Sequence, residues 1–221
     1  MSVTISEIGH ELWDRYSQVS TQYEVRSLLQ CQPIGGGMGG IALVETVVGT
    51  PYTKQFAADD LPAIWARDFD LSRWGIFLAE NLGSPVGCAT VAPPSPKLVG
   101  VERRVDAAFL FDIRVSPNAR RQGVGKALLE RCVQWARNAG FRFLVIETQN
   151  ANVPACRLYA SCGAELIEIR RLGYAHCAEV AKEAMLIWQI QLRALRHSPC
   201  IPNEAFPSTP ADGSGRTPRH R

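Results

Sequence analysis

The chain has 221 residues, 46% of them hydrophobic and 20% charged, enough for one domain with a substantial core plus tails. A formal net charge of +3 is too small for a phosphate-coating surface and gives nucleic-acid binding no support. The seven cysteines are odd in number and form no CxxC, and the four histidines lie at no ligand spacing to them, which argues against a metal site and for a reducing, cytoplasmic compartment.

The first stretch, "MSVTISEIGHELWDRYS", carries acidic residues and no unbroken apolar run, unlike a signal peptide. No segment approaches the roughly 18 apolar residues of a membrane span. Ile8, Leu12, Trp13 and Tyr16 fall near helical spacing, which predicts a helix over residues 6–20 and an N-terminal helical segment over residues 1–21. Residues 23–29 read as a strand. The glycine run "PIGGGMGG" (residues 33–40) precedes the strand-like "IALVETVV". A phosphate loop opens a helix, so these glycines read as a hairpin-like loop.

Residues 76–79 and 86–91 read as two strands joined at "NLGS", and residues 93–104 as a loop with a charged end. "AAFLFDIRV" (Ala107–Val115) is apolar and aromatic enough for a central strand. Simple alternation puts Phe109, Phe111, Ile113 and Val115 on one face, with Leu110, Asp112 and Arg114 on the other. Then comes an amphipathic helix with Val124, Leu128, Cys132, Trp135, Ala136 and Ala139 in one stripe and Gly140 as its stop. "FRFLVIETQ" (residues 141–149) reads as a buried strand parallel to the earlier one. A shorter helix follows, with Pro154 in its first turn and Gly163 as its stop. Residues 164–170 and 184–191 read as closing strands, and residues 195–221, rich in Pro, Ser, Thr and Gly, as a disordered tail.

The junction "RRQGVGK" (residues 120–126) places positive charge and bare backbone at a helix mouth. A triphosphate loop needs GxxxxGK[ST], but Arg120 stands at the first glycine and Ala127 at the hydroxyl. A dinucleotide loop needs GxGxxG, but Leu128 stands at the third glycine. A pyrophosphate cradle survives: Gly123 and Gly125 allow close backbone approach, and free N–H groups and the helix dipole favour an anion. Arg120, Arg121 and Lys126 add charge at the rim. The competing interpretation is a basic helix start on a solvated surface.

Arg120-x-x-Gly123-x-Gly125, after a strand and opening a helix, resembles the acetyl-CoA signature of the GNAT superfamily of N-acetyltransferases. "IETQNANVPACRLYASCGAEL" (residues 146–166) resembles that superfamily's next strand and helix, and "ETQNANVPACRLY" is similar to the streptothricin (nourseothricin) acetyltransferases. The resemblance implies a single α+β domain over residues 22–194, a splayed mixed β-sheet with flanking helices and acetyl-CoA in the wedge. By motif match it implies that backbone groups of Ile113 and Val115 pair with the pantetheine arm. The amides of Arg121, Gln122, Gly123, Val124, Gly125 and Lys126 then hold the pyrophosphate, and Asn152 contacts the cofactor. Tyr159 falls on the family's tyrosine, placed to protonate the departing thiolate.

Acetyl transfer to an amine requires loss of a proton from an ammonium whose ordinary pKa is about 10.4. It also requires a donor for the acyl oxygen and an acid for the thiolate. A backbone N–H near Val115 is the candidate donor. Asp112 and Glu147 are the candidate bases, with a water chain as the alternative. Each candidate also has a structural role open to it: Tyr159 as a core tyrosine, Asp112 as a partner of Arg114, Glu147 as a strand-end carboxylate and Asn152 as an N-cap. Cys156 and Cys162 read as packing residues.

A streptothricin-like acceptor is polycationic and calls for an acidic site, for which Asp59, Asp60, Asp68, Asp70, Asp112 and Glu147 are available. The long loop over residues 93–104, Arg114, and the arginines of "RRLGYAH" depart from that expectation. The sequence thus points to a small-molecule amine acceptor, no nucleic acid, no membrane, no metal, and a monomer or homodimer. A protein or peptide N-acetyltransferase and a non-catalytic CoA-binding module are the alternatives.

Overall fold

The computed structural model describes residues 2–55, 61–98, 100–101 and 103–192. The expected tail, together with Asp59 and Asp60, lies outside the described residues.

The elements in chain order are β1 (Val3–Glu7), α1 (Trp13–Tyr16), β2 (Tyr23–Pro33), β3 (Ile41–Lys54), α2 (Pro62–Asp68), β4 (Gly75–Asn81) and β5 (Ser84–Ala92). They continue with β6 (Ala107–Val115), α3 (Val124–Asn138), β7 (Phe143–Gln149), α4 (Val153–Ser161), β8 (Glu165–Arg170) and β9 (Met185–Gln191). One sheet runs β1-β4-β5-β6-β7-β9-β8, and β2 and β3 form a separate two-stranded ribbon. Only the central pair β6–β7 is parallel; the other neighbours pair antiparallel.

The N-terminus departs from the sequence expectation. Residues 3–7 form an edge strand on β4, from Val3 opposite Asn81 to Glu7 opposite Phe77. The helix is reduced to Trp13–Tyr16 after a short 3-10 turn. Alternating Val3, Ile5 and the polar residues between them suit a half-buried strand, and pairing with β4 overrides the weak helical spacing.

The central helix follows most of its stripe. Val124, Leu128, Cys132 and Ala136 are buried against one face of the sheet and Trp135 is half-buried there, but Ala139 is exposed and Leu129, outside the expected stripe, is buried instead. It ends where the amide of Phe141 returns to the Ala136 carbonyl at 3.0 Å and that of Gly140 to Arg137 at 3.0 Å. The opposite face packs Tyr16, Trp65, Trp74 and Val145 into a second core. The ribbon is fastened to the domain by Leu29 N–H to the Asn150 carbonyl at 3.0 Å and Asn150 Nδ2 to the Leu29 carbonyl at 2.9 Å. Its buried Tyr23 and Val25 pack with Ala151. An isolated hairpin is marginal in water, so these contacts hold it.

Strand β6 does not alternate simply. Its register with β5 slips between Thr90, opposite Asp112, and Val91, opposite Leu110, leaving Phe111 without a partner. This bulge reverses the facing of the residues beyond it. Leu110, Ile113 and Val115 pack on the α3 side, and Phe111 packs on the other with Phe109. The expected face shared by Phe109, Phe111, Ile113 and Val115 is therefore corrected.

Candidate functional site

Strands β6 and β7 pair through four positions, from Ala107–Phe143 to Leu110–Ile146. Beyond them each strand is held only on its outer edge: β6 by β5 as far as Val115 opposite Gly87, and β7 by β9 as far as Gln149 opposite Met185. The sheet opens here into a wedge lined by backbone groups with no ladder partner across it.

A cleft of about 640 Å³ occupies the wedge and its mouth. It is lined by Ile113, Val115, Gly123, Gly125 and Lys126, by Asn152 and Tyr159, and by residues 20–24 with Arg26. A smaller cavity of about 80 Å³ lies at the narrow end, bordered by Leu110, Phe111, Asp112, Ile113, Thr148, Asn152 and Tyr159; Glu147 borders neither cavity.

At the wide end, helix α3 begins at Gly123, whose backbone is left-handed (φ +85°) and whose side-chain position opens onto empty space. Arg121 is also left-handed (φ +62°). No side chain caps this helix and no acid lies in its first turn, so its first amides and dipole face the cleft unsatisfied. At Gly125 a Cβ would stand 3.3 Å from Leu158 Cδ2 and 3.6 Å from Val115 Cγ2, so the missing side chain sets how closely α3 approaches α4 and β6. Arg121 and Lys126 sit at the rim, Lys126 with Glu130 at 3.9 Å. Bare amides, an uncapped helix start and rim cations fit a diphosphate. Arg120, expected at that rim, is used differently: its Nε donates to the Val115 carbonyl at 2.9 Å and its Nη2 to the Gln22 carbonyl.

Asn152 is the N-cap of α4, its Oδ1 accepting from the Ala155 amide at 3.3 Å. Tyr159 is 4% exposed and borders both cavities. Its hydroxyl has no hydrogen-bond partner among the described residues. Burial pushes that phenol well above its usual range, with smaller contributions from Cys156, Asp112, Glu147 and Cys132. Its ring lies 6.4 Å from that of Trp188.

The two candidate bases differ sharply. Asp112 is buried, its Oδ2 accepting from Arg114 Nε at 2.7 Å and from the Tyr16 hydroxyl. Its carboxylate is engaged on the Tyr16 face, and Arg114 is thereby neutralised. Glu147 lies beyond the last β6–β7 pair and accepts from the Tyr174 hydroxyl. Burial raises its pKa, and the Tyr174 bond, Arg170 and Lys54 lower it by less. Lys54 Nζ bonds Glu183 Oε2 at 2.5 Å and Gln149 Oε1 at 3.1 Å. Cys156 is buried and its thiol is pushed up to about 12 by burial; Cys162 is half-buried. Among the described residues, no group of three His, Cys, Asp or Glu side chains stands close enough to hold a metal, and no helix is long and apolar enough to cross a membrane.

Of the acidic stretch, Asp70 is exposed and its Oδ1 accepts from the Ser72 amide at 3.0 Å. Asp68 offers its carbonyl to Lys97 Nζ at 2.8 Å. Tyr174, Tyr23 and Gln22 were not singled out in the sequence. Each lies in an irregular or strand-edge stretch with no motif, so no periodicity could have marked it.

A mixed sheet split between its two parallel central strands, with a glycine-bearing helix start at the split, is the architecture of the GNAT acetyltransferases. The Acetyltransferase (GNAT) family pattern matches residues 42–164, and the chain belongs to that family. It is 31% identical over 139 residues to a streptothricin acetyltransferase of Escherichia coli, covering 63% of this chain and 70% of that protein. It is 40% identical over 70 residues to the ribosomal protein bS18-alanine N-acetyltransferase of Escherichia coli (strain K12), covering 32% of this chain and 47% of that one. A solved nourseothricin acetyltransferase superposes with a TM-score of 0.69 at 22% identity, over 87% of this chain and 100% of that one. That likeness carries the fold.

Proposed function

We propose that this acetyltransferase moves an acetyl group from acetyl-CoA to a primary amine of a small cationic molecule of the streptothricin type. The observation that carries the reading is the open wedge between β6 and β7, with bare amides at its wide end and the unpartnered Tyr159 hydroxyl at its narrow end. Bound there, acetyl-CoA supplies an acetyl thioester, an acyl group activated toward an amine.

The amides from Arg121 to Lys126 bind the diphosphate, and the backbone of Ile113 and Val115 pairs with the amide groups of the donor's arm. Asn152 positions the start of α4 beside it. An amide of β6 between Phe111 and Val115, on the edge that β7 leaves open, donates to the acyl oxygen as charge develops on it. Glu147 accepts the proton of the acceptor ammonium at a carboxylate oxygen, with Tyr174 fixing that carboxylate. A bond forms between amine nitrogen and acyl carbon, and the carbon–sulfur bond breaks. Tyr159 gives its hydroxyl proton to the thiolate and is restored by the second proton that the attacking nitrogen sheds; its raised pKa keeps the hydroxyl proton in place at neutral pH. Asp112 holds Arg114 and Tyr16, so the positive charge that seemed awkward for a cationic acceptor is cancelled. Trp65, Phe69, Trp74 and Phe111 form an aromatic cluster in the second core, and of these Phe111 reaches the smaller cavity, where its ring is available to a cation.

The match to the alanine N-acetyltransferase favours, as a second reading, a protein or peptide amine. A thiol-release assay against a panel of nourseothricin, polyamines, amino acids and alanine-starting peptides decides. Turnover of nourseothricin supports the first reading and turnover of peptides alone supports the second. No turnover of any amine, with CoA binding intact, rejects both.

A further inference from the structure

Past Leu110 and Ile146 no hydrogen bond between β6 and β7 sets the width of the wedge, yet a donor lying there needs that width fixed. A displacement of about 1 Å between reacting groups costs roughly a hundredfold in rate. The bridge comes from elsewhere in the chain. Residues 20–24 and Arg26 form part of the cleft wall. On the β6 side the Arg120 guanidinium clasps two carbonyls at once, that of Val115 at the strand's end and that of Gln22. On the β7 side the next residue, Tyr23, donates its hydroxyl to Gln149 Oε1 at 3.2 Å, at that strand's end. The tyrosine ring is buried. A fork-shaped cation that binds two carbonyls holds both in one plane, which a lysine cannot reproduce.

We infer that residues 22–23 are a strap across the opened sheet, and that Arg120 and Tyr23 are positioning residues for the acyl donor, Arg120 acting through the backbone it holds rather than as a phosphate ligand. The inference rests on the proposed placement of the donor in the wedge. It assigns the arginine of the signature a role in the pantetheine half of the cleft, and leaves Arg121 and Lys126 as the cations of the diphosphate half.

Two donors separate these roles: acetyl-CoA, and S-acetylpantetheine, which has the arm and no phosphates on a nucleotide. Arg120→Gln should lower kcat/KM about tenfold with both donors, the size of one lost charge-assisted hydrogen bond. Tyr23→Phe should lower it with both by about fivefold. Arg120→Lys should recover only part of the loss. Arg121→Gln should show its loss chiefly with acetyl-CoA. Calorimetric titration with CoA and with pantetheine reads the same ratios without an acceptor. A missing acceptor activity therefore defeats the proposed function and leaves the strap tested. A loss in Arg120→Gln confined to the phosphate-bearing ligand overturns the inference. So does a Tyr23→Phe protein that handles both ligands like the parent. Thermal melts identify a variant that has not folded; Tyr23→Phe keeps the buried ring and carries the test if Arg120→Gln fails there.

Discussion

The hydroxyl of Tyr174 donates to the carboxylate of Glu147, joining the connection between β8 and β9 to the end of the central strand β7 across 27 positions of sequence. The bond favours the ionised carboxylate, while burial favours the neutral one and is the larger effect. In the proposed role of base, a carboxyl whose pKa burial raises gives a rate that climbs with pH through that raised value. Tyr174→Phe removes the opposing influence, so the acidic limb of the pH–kcat/KM profile should move to higher pH. Glu147→Gln should abolish the limb along with most of the activity.

The same group sets a stability trend. A carboxyl whose folded pKa lies above its unfolded one contributes stability that is complete below the unfolded value. That contribution is lost as pH rises through the folded value. Glu147→Gln should therefore melt at or above the parent's temperature at neutral pH while turning over poorly. Melting curves beside initial rates separate this from simple damage to the fold.

Tyr159→Phe keeps the buried ring and removes the unpartnered hydroxyl. Turnover should fall by about a hundredfold, within the usual range for a lost general acid, with CoA affinity nearly intact by calorimetry. A fully active phenylalanine variant would exclude the acid role.

Gly123→Asp places a side chain and a negative charge in the open space at the helix mouth, in a left-handed backbone that costs a non-glycine residue about 1–2 kcal/mol. CoA binding should be lost, as measured by titration, with only a modest drop in melting temperature.

Asp112 and Arg114 test the opposite case. Their side chains are 6% and 3% exposed and 2.7 Å apart. Removing one partner of a buried pair costs about 3–5 kcal/mol. Asp112→Asn should lower the melting temperature by roughly 10 °C in a domain of this size. A variant that melts like the parent yet is inactive would instead return Asp112 to the role of base.

Much of the fold was legible because periodicity reports local burial. The α3 stripe, the parallel strands around it and the Gly140 and Gly163 stops all follow from short-range pattern. The edge strand at residues 3–7 was not legible, since a five-residue strand on a sheet edge has no signal stronger than chance helical spacing. The bulge at Phe111 was hidden too: one unpaired residue leaves composition untouched and reverses every facing after it.

By itself the sequence determined the helix mouth with its two glycines and the helix that carries Tyr159, because these depend on residues close together along the chain; the class of chemistry came from the resemblance of those two stretches to the GNAT pattern. Only the tertiary structure decided which partners Asp112 and Glu147 engage, Arg114 and Tyr16 for the one and Tyr174 for the other, and where the Arg120 guanidinium points. Those outcomes turn on partners such as Tyr16, Gln22 and Tyr174, which lie far away in sequence. Burial and hydrogen bonding, which set charge and reach, are properties of the packed neighbourhood and not of the residue.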